Sequence, residues 1–327
     1  MELVTKKRFM LVSGSGNEKL AKEIADELKV QLGEMSLSTF SNGELYVRYA
    51  DSIRGADVFI IQSHCEPIND RIMEQMIMID AAKRASAKRI TAVVPFYGYA
   101  RQDRKAQGRE SITAKLIADM LTVAGVDRVI SVDLHTGQIQ GFFDCPVDHL
   151  TAVPLLAEYL GEKIGSDITV VSPDAGGGKR ARKFANILET MGIDTELAFI
   201  DKRRPKGTFN QSVAEEVVGE VDGRNCVLVD DMIDTAGTMC AAAELLKERG
   251  AKDVYMAATH GVLSGPAIER LEKASVKEVV ITNTIPLSAN ASTKITALSI
   301  APVIAKALDH VFEDASVSEM FHGDNYQ

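Results

Sequence analysis

Short apolar runs rich in β-formers alternate with helix-period patterns along almost the whole chain, and this alternation leaves few folds open. Phe9 to Ser13 reads as a strand, followed by a helix from about Asn17 to Lys29. Val58 to Gln62 precedes a helix from about Asn69 to Arg84, and Thr91 to Pro95 leads through a polar loop to a helix from about Ile112 to Ala124. Val129 to Leu134 closes the first half. The second half repeats the theme, with strands expected at Ile168 to Ser172, Leu197 to Asp201, Cys226 to Asp230, Val254 to His260 and Val279 to Thr284. Fully apolar strands separated by helices imply parallel sheets covered on both faces. A length of 327 residues accommodates two such domains, with the boundary placed near Leu150 and Thr151. The expected fold class is therefore α/β, two similar domains in tandem, each with a mainly parallel sheet flanked by helices.

Composition narrows the function classes. A net charge of −9 argues against nucleic acid as a bulk electrostatic partner. The basic residues are clustered all the same, at Arg101 to Arg109, Lys179 to Lys183 and Lys202 to Lys206, which points to a local anionic ligand or to solvated charge runs. Cys65, Cys145, Cys226 and Cys240 show no paired spacing for zinc, and reduced thiols suit a reducing cytoplasm. The first residues carry no signal-peptide pattern, and no apolar run approaches the ~18 residues of a membrane span. A cytoplasmic protein without a membrane partner is expected.

In open parallel sheets ligands gather at the carboxyl ends of strands, and the unusual residues of this chain fall there. Val227 to Thr238 joins three apolar β-formers to the acids Asp230 and Asp231, then to Asp234, Thr235, Ala236, Gly237 and Thr238, ahead of a helix. Its hydroxyls and backbone N–H groups suit a phosphate at a helix N-terminus, and its acceptor-only carboxylates suit sugar hydroxyls. The lysine of a Walker-type loop is missing. An Asp-Asp pair alone would read as solvated loop acids; the following motif changes that. Ser172 to Arg180 is a second strand-end loop, whose three glycines allow close approach of backbone to an anion and whose Asp174 suits a bridging cation. His135 follows a strand and is either a satisfied structural residue or part of a metal site shared with Asp174. Phe96 to Arg104 combines aromatics with Arg101, Gln102 and Asp103 and suits a nucleotide, or else is an exposed basic loop. Phe40 to Glu44 reads as a turn between strands, and the pair Gly14 and Gly16, lacking a third glycine, as a strand–helix turn. Lys202 to Arg204, at a strand end, is either solvated or a cationic clamp on a phosphoryl transition state.

Taken together, these residues resemble the ribose-phosphate pyrophosphokinase family over essentially the whole chain. The resemblance is carried by Asn42-Gly-Glu44, Tyr99-Ala-Arg-Gln-Asp103, Asp133-Leu-His135, Gln138 to Asp144, Ser172-Pro-Asp-Ala-Gly-Gly177, Val229 to Thr238, Thr259-His-Gly, Thr282 to Pro286 and Ser316-Val-Ser318. It implies the reaction of ATP with ribose 5-phosphate to give 5-phosphoribosyl 1-diphosphate (PRPP) and AMP, with Mg2+. By matching position, Phe40, Asn42, Gly43 and Glu44 are implied to contact adenine, from a neighbouring subunit in one arrangement, while Arg101, Gln102 and Asp103 serve ATP. His135 and Asp174 are the implied magnesium residues. Asp230 and Asp231 hold ribose hydroxyls, Asp234 to Thr238 cradle the 5-phosphate, and Lys202 and Arg204 are catalytic, Arg204 also meeting ribose 5-phosphate. Arg54, Ser86, Gln140, Asp148, Ser316, Ser318 and Phe321 match a regulatory site for activating inorganic phosphate and inhibitory ADP.

The resemblance further implies two phosphoribosyltransferase-like domains, 1–150 and 151–302, with a C-terminal helix at about 303–327 returning to the first, and assembly as a homohexamer. The chain departs from the family pattern where Lys206-Gly-Thr follows Pro205, in place of a further arginine, and in the variable stretch Gly178-Lys-Arg. Two alternatives stay open at this point: a PRPP-dependent phosphoribosyltransferase, which shares the Asp230 to Thr238 motif, and a non-catalytic associated regulatory subunit.

Overall fold

The computed structural model describes residues 7–174, 176–203, 214–288 and 291–321. Its internal contacts divide the chain into two units: Met1–Thr151 with Thr284–Pro286 and Ser299–Gln327, and Ala152–Asn283 with Leu287–Leu298.

The first unit runs β1 (Phe9–Ser13), α1 (Glu18–Leu28), β2 (Met35–Thr39), β3 (Leu45–Tyr49), β4 (Asp57–Ile61), α2 (Ile68–Arg84), β5 (Arg89–Val94), α3 (Thr113–Ala124), β6 (Arg128–Val132) and β7 (Val147–Leu150). Five of the strands form a sheet in the order β1-β4-β5-β6-β7, with every pair parallel. β2 and β3 stand apart as an antiparallel hairpin. Parallel neighbours require crossovers, and the crossover helices cover both faces, so β4 is buried at every position. Helix α1 starts where the Asn17 side chain accepts from the Leu20 N–H at 3.3 Å and ends at Lys29 in the left-handed region. A C-terminal helix, Ala301–Phe312, belongs to this unit and packs on α1. Just beyond it, Asp314 takes Lys7 Nζ and Arg89 Nη1, each at 2.6 Å, while Arg89 also grips Asp57 at 2.7 Å.

The second unit runs α4 (Val153–Ile164), β8 (Ile168–Ser172), α5 (Gly178–Thr190), β9 (Thr195–Arg203), β10 (Ala214–Val218), β11 (Asn225–Ile233), α6 (Gly237–Glu248), β12 (Asp253–Gly261), α7 (Ala267–Lys273), β13 (Glu278–Thr282) and β14 (Ile295–Leu298). Its sheet has the order β10-β9-β8-β11-β12-β13-β14, parallel throughout except for β10 on the edge. From β8 the chain moves outward to β9 and β10, then jumps back to β11 on the other side. The order therefore reverses between β8 and β11, and a reversal of this kind opens a crevice above the carboxyl ends of the two strands. The first unit, whose strands follow one another in simple order from β4 to β7, has no such reversal.

The α/β class and the strands expected from the sequence are present. β7, β10 and β14 are additional edge or near-edge strands of four or five residues, too short for periodicity to reveal. β9 continues to Arg203, so the backbone of Lys202 lies within the strand, opposite Glu215, rather than beyond its end. Among the described residues no helix is long and apolar enough to cross a membrane.

Leu228 lies fully buried in β11, at the centre of the second unit's core. Leu228→Ala should cost roughly 2–5 kcal/mol, read as a lower urea midpoint with an unchanged slope.

Candidate functional site

In the second unit the loop after β8 is shaped by its own carboxylate. Asp174 Oδ1 accepts from the N–H groups of Gly176 and Gly177 at 2.8 and 3.0 Å, and Ser172 Oγ donates to the Asp174 carbonyl at 2.6 Å. A side chain at Gly177 would sit 2.7 Å from Ser172 Oγ, so this tight turn requires glycine there. The Asp174 side chain remains on the exposed surface of the loop.

Across the crevice, β11 ends in the acidic pair. Asp231 is buried, Asp230 half-buried, and the Asp231 N–H donates to Asp230 Oδ1 at 2.8 Å. Arg180 Nη1 lies 3.1 Å from Asp230 Oδ1 and 3.4 Å from Asp231 Oδ1. Burial, and then the charge of Asp231, push the Asp230 carboxyl up to about 7, with Arg180 opposing them.

The following loop is tethered from behind. The carbonyls of Ile233, Asp234 and Thr235 accept in turn from Leu263 N–H (2.9 Å), Ser264 N–H (3.0 Å) and Arg270 Nη1 (2.9 Å). Ala236 adopts a left-handed conformation, φ 59°, and no side chain caps α6. With three successive carbonyls drawn to one side, the N–H groups of Thr235 to Thr238 have no acceptor among the described residues. They form the open end of a helix, which is a ready site for an anion. A Cβ at Gly237 would lie 3.2 Å from Arg270 Nη1, so the cation sits against this loop.

In the first unit the Arg101–Asp103 turn is fixed at both ends. Tyr99 is left-handed, φ 62°, and the Gln102 N–H donates to its carbonyl at 2.9 Å. Gln102 Oε1 accepts from Thr113 Oγ1 at 2.6 Å, and Asp103 Oδ2 accepts from Thr136 Oγ1 at 2.9 Å. The second bond brings the turn beside His135, which is half-buried. The Leu134 N–H donates to His149 Nε2 at 2.9 Å, ordering the backbone just before His135. Phe40, Asn42, Gly43 and Glu44 lie at the exposed tip of the β2–β3 hairpin. Every hydrogen bond and ring contact they make among the described residues stays within that hairpin.

Of the regulatory candidates, Arg54 and Ser86 precede β4 and β5, and Asp148 lies at the start of β7. The Gly55 N–H donates to the Ser86 carbonyl at 2.8 Å, setting Arg54 beside Ser86. Asp148 is already paired with Arg128 at 2.6 Å. Gln140 Nε2 donates to the Gly137 carbonyl at 3.1 Å, and the Ser316 carbonyl accepts from His310 Nδ1 at 2.8 Å, just before the turn Ser318–Phe321. Arg204 lies outside the described residues, as do the side chains of Lys202 and Phe321.

Three residues escaped the sequence reading. Arg180 was seen only as part of a basic cluster, Arg270 was not noticed, and His64 gave no signal. His64 Nδ1 accepts from the Gly98 N–H at 3.1 Å, so Nε2 carries the proton and donates to Gln75 Oε1 at 2.8 Å. Burial lowers its pKa to about 4, so it stays neutral while supporting the Tyr97–Gln102 turn. Helical periodicity around Arg180 and Arg270 was the one available hint. Among the described residues no cluster of three or more His, Cys, Asp or Glu is gathered for a metal.

Comparison with known proteins gives a consistent result. The family described as the N-terminal domain of ribose phosphate pyrophosphokinase matches residues 9–125, and the phosphoribosyl synthetase-associated domain matches residues 189–322. The ribose-phosphate pyrophosphokinase of Streptomyces coelicolor is 56% identical over 317 residues, 96% of each chain. That of Corynebacterium efficiens is 52% identical over 319 residues, 97% of each chain. The crystal structure of phosphoribosylpyrophosphate synthetase from Mycobacterium smegmatis superposes with a TM-score of 0.89 at 50% identity, covering 94% of this chain and all of that one.

The raised pKa of Asp230 has a definite sign in stability. Its folded value, about 7, exceeds the ordinary value of 3.8, so the folded state binds the proton more tightly, and this group's contribution falls as pH rises from about 4 through 7. Asp231→Asn removes the neighbouring charge. It should lower the Asp230 pKa, seen in a ¹³C-carboxyl titration, and flatten the loss of urea stability over the same pH window.

Proposed function

The chain belongs to the ribose-phosphate pyrophosphokinase family and catalyses that family's reaction; we propose that its two units divide the substrates of the reaction between them. The β,γ-diphosphoryl group of ATP passes to the 1-hydroxyl of ribose 5-phosphate. The hydroxyl oxygen forms a bond to the β-phosphorus, the bond from that phosphorus to the α,β-bridging oxygen breaks, AMP departs, and the hydroxyl proton is released. The observation that carries the assignment is the β8/β11 crevice, where an acidic pair adjoins four backbone N–H groups with no acceptor among the described residues. Carboxylates accept from ribose hydroxyls and helix-end N–H groups donate to the 5-phosphate, so the two ends of one ligand are matched by opposite polarity.

Asp230 and Asp231 take the sugar hydroxyls, and Asp234, Thr235, Ala236, Gly237 and Thr238 take the phosphate. Arg101, Gln102 and Asp103 meet ATP. Phe40, Asn42, Gly43 and Glu44 meet adenine, and their self-contained, exposed hairpin suits a site completed by another copy of the chain. Lys202 and Arg204 stabilise charge on the transferred group, Arg204 also meeting ribose 5-phosphate, because such transfers depend on positioning and on placed positive charge.

Magnesium is the metal that the chemistry calls for, with Asp174 and His135 as its candidate residues. Asp174 suits it, being an oxygen donor already oriented by two N–H bonds on an exposed loop. His135 is the wrong donor type for direct ligation of magnesium and acts through water. When bound, the ion neutralises charge on the phosphate oxygens. Arg54, Ser86, Gln140, Asp148, Ser316, Ser318 and Phe321 form the effector site for inorganic phosphate and ADP, and the working assembly is a homohexamer in the cytoplasm. Relatives matching both units leave an ordinary single-domain phosphoribosyltransferase without support.

Incubation with ATP, magnesium, inorganic phosphate and ribose 5-phosphate should release AMP and PRPP in equal amounts. A chain that forms no AMP under these conditions would be a non-catalytic relative. Lys202→Ala should lower kcat by about 10²–10³-fold, with the ribose 5-phosphate KM nearly unchanged. A large rise in KM at normal kcat would refute that role.

A further inference from the structure

Arg180 occupies an unusual place for a cation. On α5 the buried residues are Arg180, Ala181, Phe184, Ala185 and Leu188, so Arg180 lies on the stripe 180/184/188 that the helix buries. Of the basic cluster Lys179 to Lys183 it alone is buried; Lys179 and Arg182 are exposed and Lys183 half-buried. An apolar residue would satisfy the core at this position. A guanidinium there is costly unless paired, and it is paired with both members of the acidic dyad at once, at 3.1 and 3.4 Å. Its Nε has no partner among the described residues, so the side chain's contacts are concentrated on the dyad.

We propose that Arg180 is a positioning residue for ribose 5-phosphate, fixing the side chains of Asp230 and Asp231 and supplying their counter-charge from the helix that the Asp174–Gly178 loop opens. The inference rests on the reading of the dyad as the sugar-hydroxyl site. One nitrogen, Nη1, meets both carboxylates, and a lysine at this position would place its ammonium one bond short of that point. The groups facing Asp230 are Asp231 from its own strand and Arg180 from α5, and burial together with Asp231 already opposes its ionisation. Removing Arg180 removes the opposing influence, and a protonated Asp230 loses acceptor capacity just where the sugar needs it.

The test uses the full-length chain with Arg180→Gln and Arg180→Lys. Initial rates are measured over pH 6–9, and ribose 5-phosphate binding by calorimetry without turnover. Arg180→Gln should raise the ribose 5-phosphate KM by about 30-fold or more, leave the ATP KM within about twofold, and move the acidic limb of kcat/KM for ribose 5-phosphate to higher pH. Arg180→Lys retains the charge but not the reach of Nη1, so the limb should stay in place while the KM rises about fivefold. If Arg180→Gln fails to fold, the Lys variant decides alone: an unchanged KM overturns the proposal. Equal losses for both substrates with an unmoved pH limb would also overturn it, since a purely structural ion pair behaves that way. If the parent chain binds ribose 5-phosphate and Arg180→Gln binds it equally well, the role of Arg180 fails by itself. If the parent binds none, the assignment of the dyad fails with it.

Discussion

Parallel strand pairing is the constraint from which the rest of the molecule follows. A parallel neighbour cannot be reached by a tight turn, so each strand must be followed by a crossover, and here most crossovers are helices. The helices cover both faces of the sheets, strands such as β8 and β13 are buried at every position, and the polar side chains they carry bond to the protein itself, as Thr282 Oγ1 does to the Thr259 carbonyl. Function is left to the strand ends. Within the second unit, the jump of the chain from β10 back to β11 separates two consecutive strand ends and gives a crevice with different chemistry on its two lips. One lip is glycine and Asp174; the other is an acidic pair and an uncapped helix.

Electrostatics then decides which of these groups can coexist. Two adjacent acids with little access to water oppose each other's ionisation, and burial is the larger of the two effects on Asp230. A neighbouring cation offsets that repulsion, as Arg180 does. Arg180 meets side-chain oxygens from the β8 side, whereas Arg270 meets a main-chain carbonyl behind the loop. Exposed pairs such as Lys115 with Asp119 or Lys273 with Glu269 are of another kind: water screens them, and they direct no ligand.

What the sequence made legible follows the range of the interactions involved. β1 and β8 were read to the residue because a continuous apolar run is a local signal, and the loops after β8 and β11 because glycine, hydroxyl and acid residues there are consecutive. β10 and β14 were missed because edge strands of four or five residues carry little periodicity. Arg180, Arg270 and His64 were missed for a different reason. Their partners lie 50, 35 and 34 residues away, and only the fold brings them together. The candidate site residues were thus visible in the chain, while the residues that hold them in place were not. The reading of Lys202 to Arg204 as a cationic clamp came from position and resemblance, and Arg204 lies outside the described residues.

The two units also show why a glycine turn at a strand end does not by itself make an anion site. After β1, Gly14-Ser15-Gly16 resembles the kind of loop that follows β8, yet its donors are already taken. Glu74 Oε1 accepts from the Ser15 N–H at 2.7 Å, Glu74 Oε2 from Ser15 Oγ at 2.6 Å, and Gln62 Oε1 from the Gly16 N–H at 2.8 Å. Side chains at Gly14 or Gly16 would collide with Gln62, so glycine is needed there for packing. The first unit supplies its own carboxylate where a ligand's anion would otherwise go. After β11 the carbonyls of Ile233 to Thr235 are bound, whereas the N–H groups of Thr235 to Thr238 have no acceptor among the described residues and are open to an anion. That difference, and not the glycine content of either loop, separates a turn closed by its own side chains from one open to a ligand.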